Sequence, residues 1–409
     1  MASAKTFVIV GASLAGAKAA ETLRKEGFEG RVVLIGEETD RPYERPLLSK
    51  EYLRAEKPAA KLYVHDEGFY ADNDIELLSG TRVESLELGA HQVTLQDGRR
   101  MPYSRLLLST GAVPRRLSLP GADLPGVRYL RQKADSDALR AAIMAASRVV
   151  VIGAGWIGSE VAASARQLGA EVAIVAPEAV PLDRVLGPEV GGVYRDLHAE
   201  KGVDLHLSTQ VEAIIGNSAA QGVRTTDGSV IDGDVIVVGV GVSPRDELAR
   251  DAGLTLENGI VVDEFLRTSS PDVFAAGDVA ATWNPMYNKR IRMEHWANAL
   301  SQGQTAARNM LSHDSQLTAY TKLPYFYSDQ YDLGMEYHGY ASDWDRVVVR
   351  KGTSVLEFIA FWLKDGRVLA GMNANIWDQG DAIKALVRGG ATVDADRLAD
   401  PSVPLTDLA

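Results

Sequence analysis

Twice along this chain an apolar run of strand character gives way to a glycine-rich turn and then to an alanine-rich helical run. The first copy reads VIVGASLAGAKAA over 8–20 and the second VVVIGAGWIGSEVAA over 149–163. Around the first, hydrophobic periodicity predicts a strand over 6–11, a helix over 15–26 and a strand over 32–36. The prolines of RPYERPLLSKEYL, at 41–53, predict a loop before a short helix. Period-two alternation over 81–88 and 92–96, followed by an Asp97-Gly98 turn, predicts antiparallel strands. A buried strand is expected over 103–111, ending in Thr-Gly-Ala, and Pro114, Pro120 and Pro125 then mark a boundary.

A second unit of the same plan opens at Ser147. It predicts a helix over 157–168, a strand over 171–176, a helix over 188–201, further strands, and the run VIVVGVGVSP at 235–244. The repetition reads as an internal duplication of architecture. Beyond Pro244 the chain is expected to return to the first unit, with TSSPDVFAAGDVA at 268–280 as a strand and polar turn and a helix near 297–311. From about Tyr320 the character changes. An aromatic-rich stretch precedes strands over 346–351, 356–363 and 368–373 around the Asp365-Gly366 turn, then a helix near 378–387. This last part is an α+β layer without a nucleotide loop.

The repeated strand–turn–helix is the layout that binds dinucleotides. Its glycines allow a tight turn and close backbone approach to a pyrophosphate, which then sits on the helix N-terminus. Two such loops imply two dinucleotides, and hence a flavoprotein that takes hydride from a nicotinamide. The second loop is complete, with Gly153, Gly155 and Gly158, whereas in the first Ser13 stands at the second glycine. The ribose acid should follow the second strand of each unit. Glu37 fills that place in the first. In the second the strand ends at Ala176 with no acid, leaving Glu178 to reach instead and Arg184 to meet an adenine or a 2′-phosphate. No basic cluster replaces the missing acid, which favours NADH over NADPH.

Composition narrows the chemistry. At 409 residues two or three domains are expected, and 46% hydrophobic residues provide ample core. The net charge of −12 argues against nucleic acid as a main partner. No apolar run approaches the roughly 20 residues of a membrane helix. The first strand begins close to Met1, so no signal or transit peptide is expected and the cytoplasm is the default compartment. The chain has no cysteine, which removes disulfide exchange, thiolate metal sites and iron–sulfur clusters held by its own thiolates. Electrons must travel on a bound organic cofactor. The seven histidines show no close ligand spacing, so no metal site is expected.

Individual residues admit two readings each. Glu160, in the first turn after the second loop, is either a carboxylate placed on the helix dipole or a group facing the nicotinamide. Lys50 is either a surface lysine or a positive charge beside the flavin N5. A Lys50–Glu160 pair would account for both. Asp278 suits ribityl hydroxyls, and Trp296 reads as core packing or as a ring against the isoalloxazine.

Taken together, GASLAG, RPYERPLLSK, STGAVPRRL, GAGWIGSEVAA, PLDRVLG, VGVGVSP, SSPDVFAAGDVA and MEHWANA resemble the FAD-dependent ferredoxin reductases of bacterial oxygenase systems, over essentially the whole chain. The resemblance implies an α/β, glutathione-reductase-like fold with two Rossmann-type dinucleotide-binding domains. The FAD-binding domain spans 1–113 and 243–319, the NAD-binding domain 114–242, and a C-terminal α+β interface domain 320–409. Flavin contacts are implied at Gly11, Ser13, Ala15, Gly16, Glu37, Lys50, Val83, Thr110, Gly111, Arg131, Gly277, Asp278, Glu294 and Trp296. Nicotinamide-cofactor contacts are implied at Gly153, Gly155, Ile157, Gly158, Glu160 and Gly241, with Arg184 near the adenosine. Lys50 and Glu160 would be the catalytic pair. Departures from the family pattern are Ser13 for glycine, Leu47 for a proline, Ser109 for an alanine and Ala176 for the acid.

The activity implied is hydride transfer from NADH to FAD, then single electrons to a ferredoxin serving an oxygenase. Such a partner is expected to be acidic, and Arg41, Arg45, Arg54 and Lys57, or Lys289, Arg290 and Arg292, are candidate docking cations. The protein is expected to be a monomer or homodimer, with neither nucleic acid nor membrane as partner. Two alternatives are a reductase of a small acceptor, such as a quinone or monodehydroascorbate, and a redox signalling protein like the apoptosis-inducing factor. Rapid turnover with a ferredoxin separates the main reading from both.

Overall fold

The computed structural model describes residues 5–408, which divide into two compact units. One contains the chain up to Arg45 with Ala59–Val113 and Val242–Lys322; the other contains Pro46–Pro58, Pro114–Gly241 and the chain from Leu323 onward.

The first unit is built on a five-stranded sheet in the order Val273–Ala275, Arg105–Leu108, Thr6–Val10, Arg31–Ile35, Ile75–Leu78. All four pairings are parallel. These strands are short, nearly continuous apolar runs because both sheet faces are covered. Helix Leu14–Lys25 follows the first strand and packs on helix Trp296–Leu311. Their approach is so close that a Cβ on Gly303 would lie 2.2 Å from the Ala15 carbonyl oxygen. The return of the chain after Pro244 is therefore physical: Val273–Ala275 adds the edge strand, with Val273 opposite Leu106. The segments at Val83–Glu87, Gln92–Leu95 and Arg100–Pro102 form a small antiparallel sheet.

The second unit repeats the parallel plan, in the order Asp204–His206, Glu171–Val175, Arg148–Ile152, Val235–Val238, Val127–Arg128. Helix Trp156–Gln167 follows the second glycine loop. The helix expected over 188–201 is longer, Asp183–Glu200, and is broken at Gly187, whose φ is 74°. The sequence pattern stops at Pro188 because proline cannot donate to the preceding turn. In the fold the break is held from outside, by the Trp362 indole N–H donating to the Leu186 carbonyl at 3.1 Å.

The C-terminal part of this unit is a five-stranded antiparallel sheet, Tyr325–Gln330, Leu333–Gly339, Arg367–Ala374, Phe358–Lys364, Arg346–Lys351. One face packs its Met335, Tyr337, Trp362 and Met372 against Leu186, Val190 and Tyr194 of the broken helix. The other packs Ile359 and Phe361 under Ile383 and Leu386 of helix Gly380–Gly389. The first hairpin of this sheet has no strand signal in the sequence reading beyond its aromatics. Its turn uses Tyr331 at positive φ (55°), so none of the usual glycine, proline or asparagine markers is present.

Three histidines are held neutral by burial. His198, His295 and His338 are each lowered to about 4, in every case chiefly by desolvation. A histidine whose folded pKa lies below its unfolded value binds protons more readily when unfolded. Its stabilising contribution is present above about 6.5 and is lost as pH falls toward about 4, at up to about 1.4 kcal/mol per pH unit. His198→Gln is expected to flatten the decline of unfolding free energy between pH 6.5 and 4.5. Urea titrations at several pH values check it, and an unchanged slope would refute this assignment.

Candidate functional site

In the first unit the turn after Thr6–Val10 is locked by crowding. Gly11 has φ 117°, and a Cβ there would lie 2.1 Å from the Ser109 carbonyl oxygen. A Cβ on Gly16 would lie 2.1 Å from the Gly11 carbonyl oxygen, so neither position admits a side chain. Ser13 sits at φ −115° and ψ −163°, extended backbone that any residue adopts, which is why serine replaces glycine there without strain. Ser109 is also constructive: its buried hydroxyl donates to the Gly11 carbonyl at 2.9 Å and braces the loop.

Around this turn the remaining first-unit residues gather. Ala15 is buried in the loop helix, and Gly277 at φ 79° lies so close that its Cβ would be 3.2 Å from the Ala15 Cβ. The Gln302 side chain accepts the Gly277 N–H at 2.8 Å, and the Arg292 guanidinium donates to the Asp278 carbonyl at 3.0 Å. Arg292 also pairs with Glu294 at 2.6 Å. Glu37, two residues beyond its strand, pairs with Arg245 at 2.6 Å. Arg245 is held in turn by its own N–H to the Gly111 carbonyl and by the Thr110 hydroxyl on its carbonyl. Val83 is buried. The Trp296 indole N–H is buried and has no partner among the described residues, so this donor awaits an acceptor that the chain does not supply.

The second unit contains Lys50 and Arg131 as well as the second loop. Gly153 (φ 100°) and Gly158 are crowded as their counterparts are: added Cβ atoms would meet the Gly239 carbonyl oxygen at 2.6 Å and the Gly153 carbonyl oxygen at 2.2 Å. Gly155 differs. Its φ is −78° and no atom of the described residues lies within 4 Å of a Cβ built there. The space beside Gly155, the N-cap of its helix, is open, which leaves room for a pyrophosphate to approach the backbone there. Ile157 is exposed on the first turn, and Gly241 (φ 94°) is likewise open. Arg131 donates its backbone N–H to Asp135 at the start of helix Lys133–Ala145.

Glu160 and Lys50 form one buried ion pair, Oε2 to Nζ at 3.2 Å, with side chains 7% and 4% exposed. Two hydroxyls complete the carboxylate's shell. Ser49 donates to Oε2, and Ser328 donates to Oε1 at 2.7 Å. The Lys50 ammonium also lies 5.4 Å from the Tyr327 ring centroid. The Asp329 carboxyl, on an exposed residue, is nonetheless raised, by partial desolvation and by the charges of Glu51 and Glu160, while Lys50 opposes them. Burial likewise pushes up the Tyr194 phenol, whose hydroxyl has no partner among the described residues. Ser328 could not have been singled out from sequence, because it reaches Glu160 from 168 residues away.

Ala176 is fully buried, and Glu178 and Arg184, which had separate roles in the sequence reading, pair with each other at 2.8 Å. The candidate docking cations are engaged within the chain. Arg45 binds Glu38, Arg41 stacks on Tyr63, Arg54 binds Glu56 and Lys57 binds Glu51. Arg290 pairs with Glu257, and Lys289 is also partnered. Among the described residues no group of three or more His, Cys, Asp or Glu could hold a metal, and no helix is long and apolar enough to cross a membrane.

Two dinucleotide loops on parallel sheets, with a buried Lys–Glu pair beside the second, define a class of pyridine-nucleotide flavoprotein. Residues 5–303 match the pyridine nucleotide-disulphide oxidoreductase family and residues 325–409 the reductase C-terminal family. The ferredoxin–NAD(+) reductase component of the anthranilate 1,2-dioxygenase system of Burkholderia cepacia is 40% identical over 98% of this chain and 99% of its own. Putidaredoxin reductase of Pseudomonas putida is 37% identical over 98% and 96%. The reductase in the covalent putidaredoxin reductase–putidaredoxin complex superposes with a TM-score of 0.93, at 36% identity over 98% of this chain and 97% of that one. The chain belongs to the pyridine nucleotide-disulphide oxidoreductases and, within them, to the ferredoxin reductases of oxygenase systems. The family uses FAD and NAD(P)H, and this member, lacking cysteine, has no thiol for disulfide exchange.

Two outcomes follow from this geometry. If the second turn holds the nicotinamide cofactor, Gly155→Val is expected to weaken that binding on the order of tenfold or more, at a stability cost of only about 1 kcal/mol from valine at the helix N-cap; binding titration and calorimetry check both. Lys50→Met leaves Glu160 buried without its cation and is expected to cost about 3 kcal/mol of stability, most of it recovered in Lys50→Met/Glu160→Leu. Denaturant unfolding of the single and double variants measures this, and additive losses would refute the pairing.

Proposed function

We propose that this protein is an NADH-dependent ferredoxin reductase that supplies electrons to an oxygenase. The observation that carries the reading is the pair of glycine turns, each set at the N-terminus of a helix that leaves a parallel sheet. The two bound cofactors supply the chemistry, hydride transfer from nicotinamide to flavin and single-electron release to an iron–sulfur partner. The chain's part is positioning and electrostatics.

In this reading residues 1–113 and 243–319 are the FAD-binding domain, 114–242 the NAD-binding domain and 320–409 the interface domain. Flavin is held by Gly11, Ser13, Ala15, Gly16, Glu37, Lys50, Val83, Thr110, Gly111, Arg131, Gly277, Asp278, Glu294 and Trp296. The crowded turn leaves the N-terminal amides of its helix to a pyrophosphate, and Trp296 offers its free N–H. The nicotinamide cofactor is held by Gly153, Gly155, Ile157, Gly158, Glu160, Arg184 and Gly241. Lys50 and Glu160 are the catalytic pair: Lys50 supplies positive charge where negative charge develops. Glu160, fixed by Ser49 and Ser328, holds that ammonium in place. NADH is the preferred donor because Arg184 is paired with a carboxylate rather than grouped with other cations. The partner is a small acidic ferredoxin and the compartment the cytoplasm.

Anaerobic stopped-flow mixing of the purified yellow protein with NADH, and separately with NADPH, is the test. Fast bleaching of the flavin band by NADH, followed by reoxidation on adding a ferredoxin, is expected. A colourless protein, or a reduced protein that no ferredoxin in a panel reoxidises, would overturn the proposal.

A further inference from the structure

The second unit lacks an acid at the end of strand Glu171–Val175, yet a carboxylate stands nearby in a defined position. The Gly153 N–H donates to the Val175 carbonyl at 2.8 Å, so the phosphate loop and this strand end are joined directly. Ala176 is fully buried with both backbone groups spent, its N–H on the His206 carbonyl and its carbonyl on the Thr209 N–H. Nothing at that residue can meet a ribose. Two residues on, the Glu178 carbonyl accepts the Ser208 N–H at 2.9 Å, which anchors the backbone. Its side chain is 21% exposed and pairs with Arg184 at 2.8 Å, whose own side chain is 81% exposed. The segment between them is drawn to the loop by the Leu182 N–H on the Ala154 carbonyl at 2.9 Å, with Leu182 in left-handed backbone (φ 61°) turning the chain back. Glu178 and Arg184 therefore stand at the same sheet end as the glycine turn.

The first unit gives an internal comparison. There the Gly11 N–H donates to the Ile35 carbonyl at 2.8 Å, the counterpart of the Gly153–Val175 bond. Counting from that bond, Gly36 corresponds to Ala176, Glu37 to Pro177 and Glu38 to Glu178. In both units the residue just past the strand carries no charge. In the first unit an acid follows at once; in the second a proline intervenes and Glu178 is the next carboxylate.

We propose that Glu178 sets coenzyme choice in this protein. Its carboxylate accepts the adenosine ribose hydroxyls of NADH and repels a 2′-phosphate, while Arg184 orients it and is the cation freed for a 2′-phosphate once that charge is removed. The physical basis is general. A strand-end acid selects an unmodified ribose, and an arginine in its place accommodates the phosphate. An ion pair whose arginine is 81% exposed contributes little to stability, so it opens at small cost and its loss leaves the fold intact.

The inference rests on the reading of the second loop as the nicotinamide-cofactor site, and the experiment separates the two. Calorimetric titration with ADP-ribose and with 2′-phospho-ADP-ribose reads adenosine-end binding without turnover. The wild-type protein is expected to prefer ADP-ribose. Glu178→Gln should weaken ADP-ribose on the order of tenfold, through loss of a charged acceptor, and tighten the phosphorylated ligand on the order of tenfold, through removal of like-charge repulsion. In Glu178→Gln/Arg184→Ala the gain for the phosphorylated ligand should vanish. If Glu178→Gln shifts both ligands by the same factor, or neither, the proposal falls while the dinucleotide site stands. If the wild-type protein binds neither ligand, the functional reading itself falls.

Discussion

Backbone crowding at the two glycine turns is the constraint on which the rest is arranged. In each unit the helix after the first strand comes so near that strand's end that one methyl group would collide with a carbonyl, at Gly16 in one unit and Gly158 in the other. That closeness fixes where the helix N-terminus points and brings its unpaired amides to the carboxyl end of the parallel sheet. Neighbouring strands then supply what surrounds the turn. Ser109 braces the first loop from the adjacent strand's end, and Gly239 packs under the second. The same geometry explains a tolerated substitution: Ser13 costs nothing because its backbone is extended.

The second organising element is electrostatic. The Glu160 carboxylate collects donors from two separated stretches of the second unit: Ser49 and Lys50 from one, and Ser328 from the C-terminal sheet. A charge this deeply buried is tolerable when a counter-ion and hydrogen bonds satisfy it together, and removing one partner leaves the others mispaired. The pair thus works as a positioning device, holding a lysine ammonium where a flexible side chain would otherwise wander. Tyr194, packed in the same unit, is fully buried.

Charge elsewhere is spent locally. With 55 acidic and 43 basic residues, the cations that suggested a docking patch in the sequence are bound to carboxylates, carbonyls or rings of the same chain. A run of arginines in sequence reports only composition, since each fork is satisfied by the nearest acceptor the fold provides. A docking surface is therefore a property of the folded shape and not of the motif.

The sequence by itself determined the alternation of elements and the two nucleotide turns. Both depend on local rules: apolar runs of strand length, glycines where positive φ or close contact excludes a side chain, and alanine-rich helices. Gly11, Gly153 and Gly158 were legible for that reason, as were the antiparallel strands around Asp365-Gly366. Zero cysteine likewise fixed what chemistry the chain could not perform. Only the tertiary structure decided the rest. Ser328 joins Glu160 across 168 residues, Trp362 holds the helix break at Gly187, and the first hairpin of the C-terminal sheet turns on Tyr331 at positive φ without a glycine, proline or asparagine. Whether Glu178 and Arg184 act apart or as a pair was likewise open until the segment between them was drawn to the Ala154 carbonyl. Such contacts are set by packing between remote segments, and no local pattern encodes which distant side chain will fill a given place.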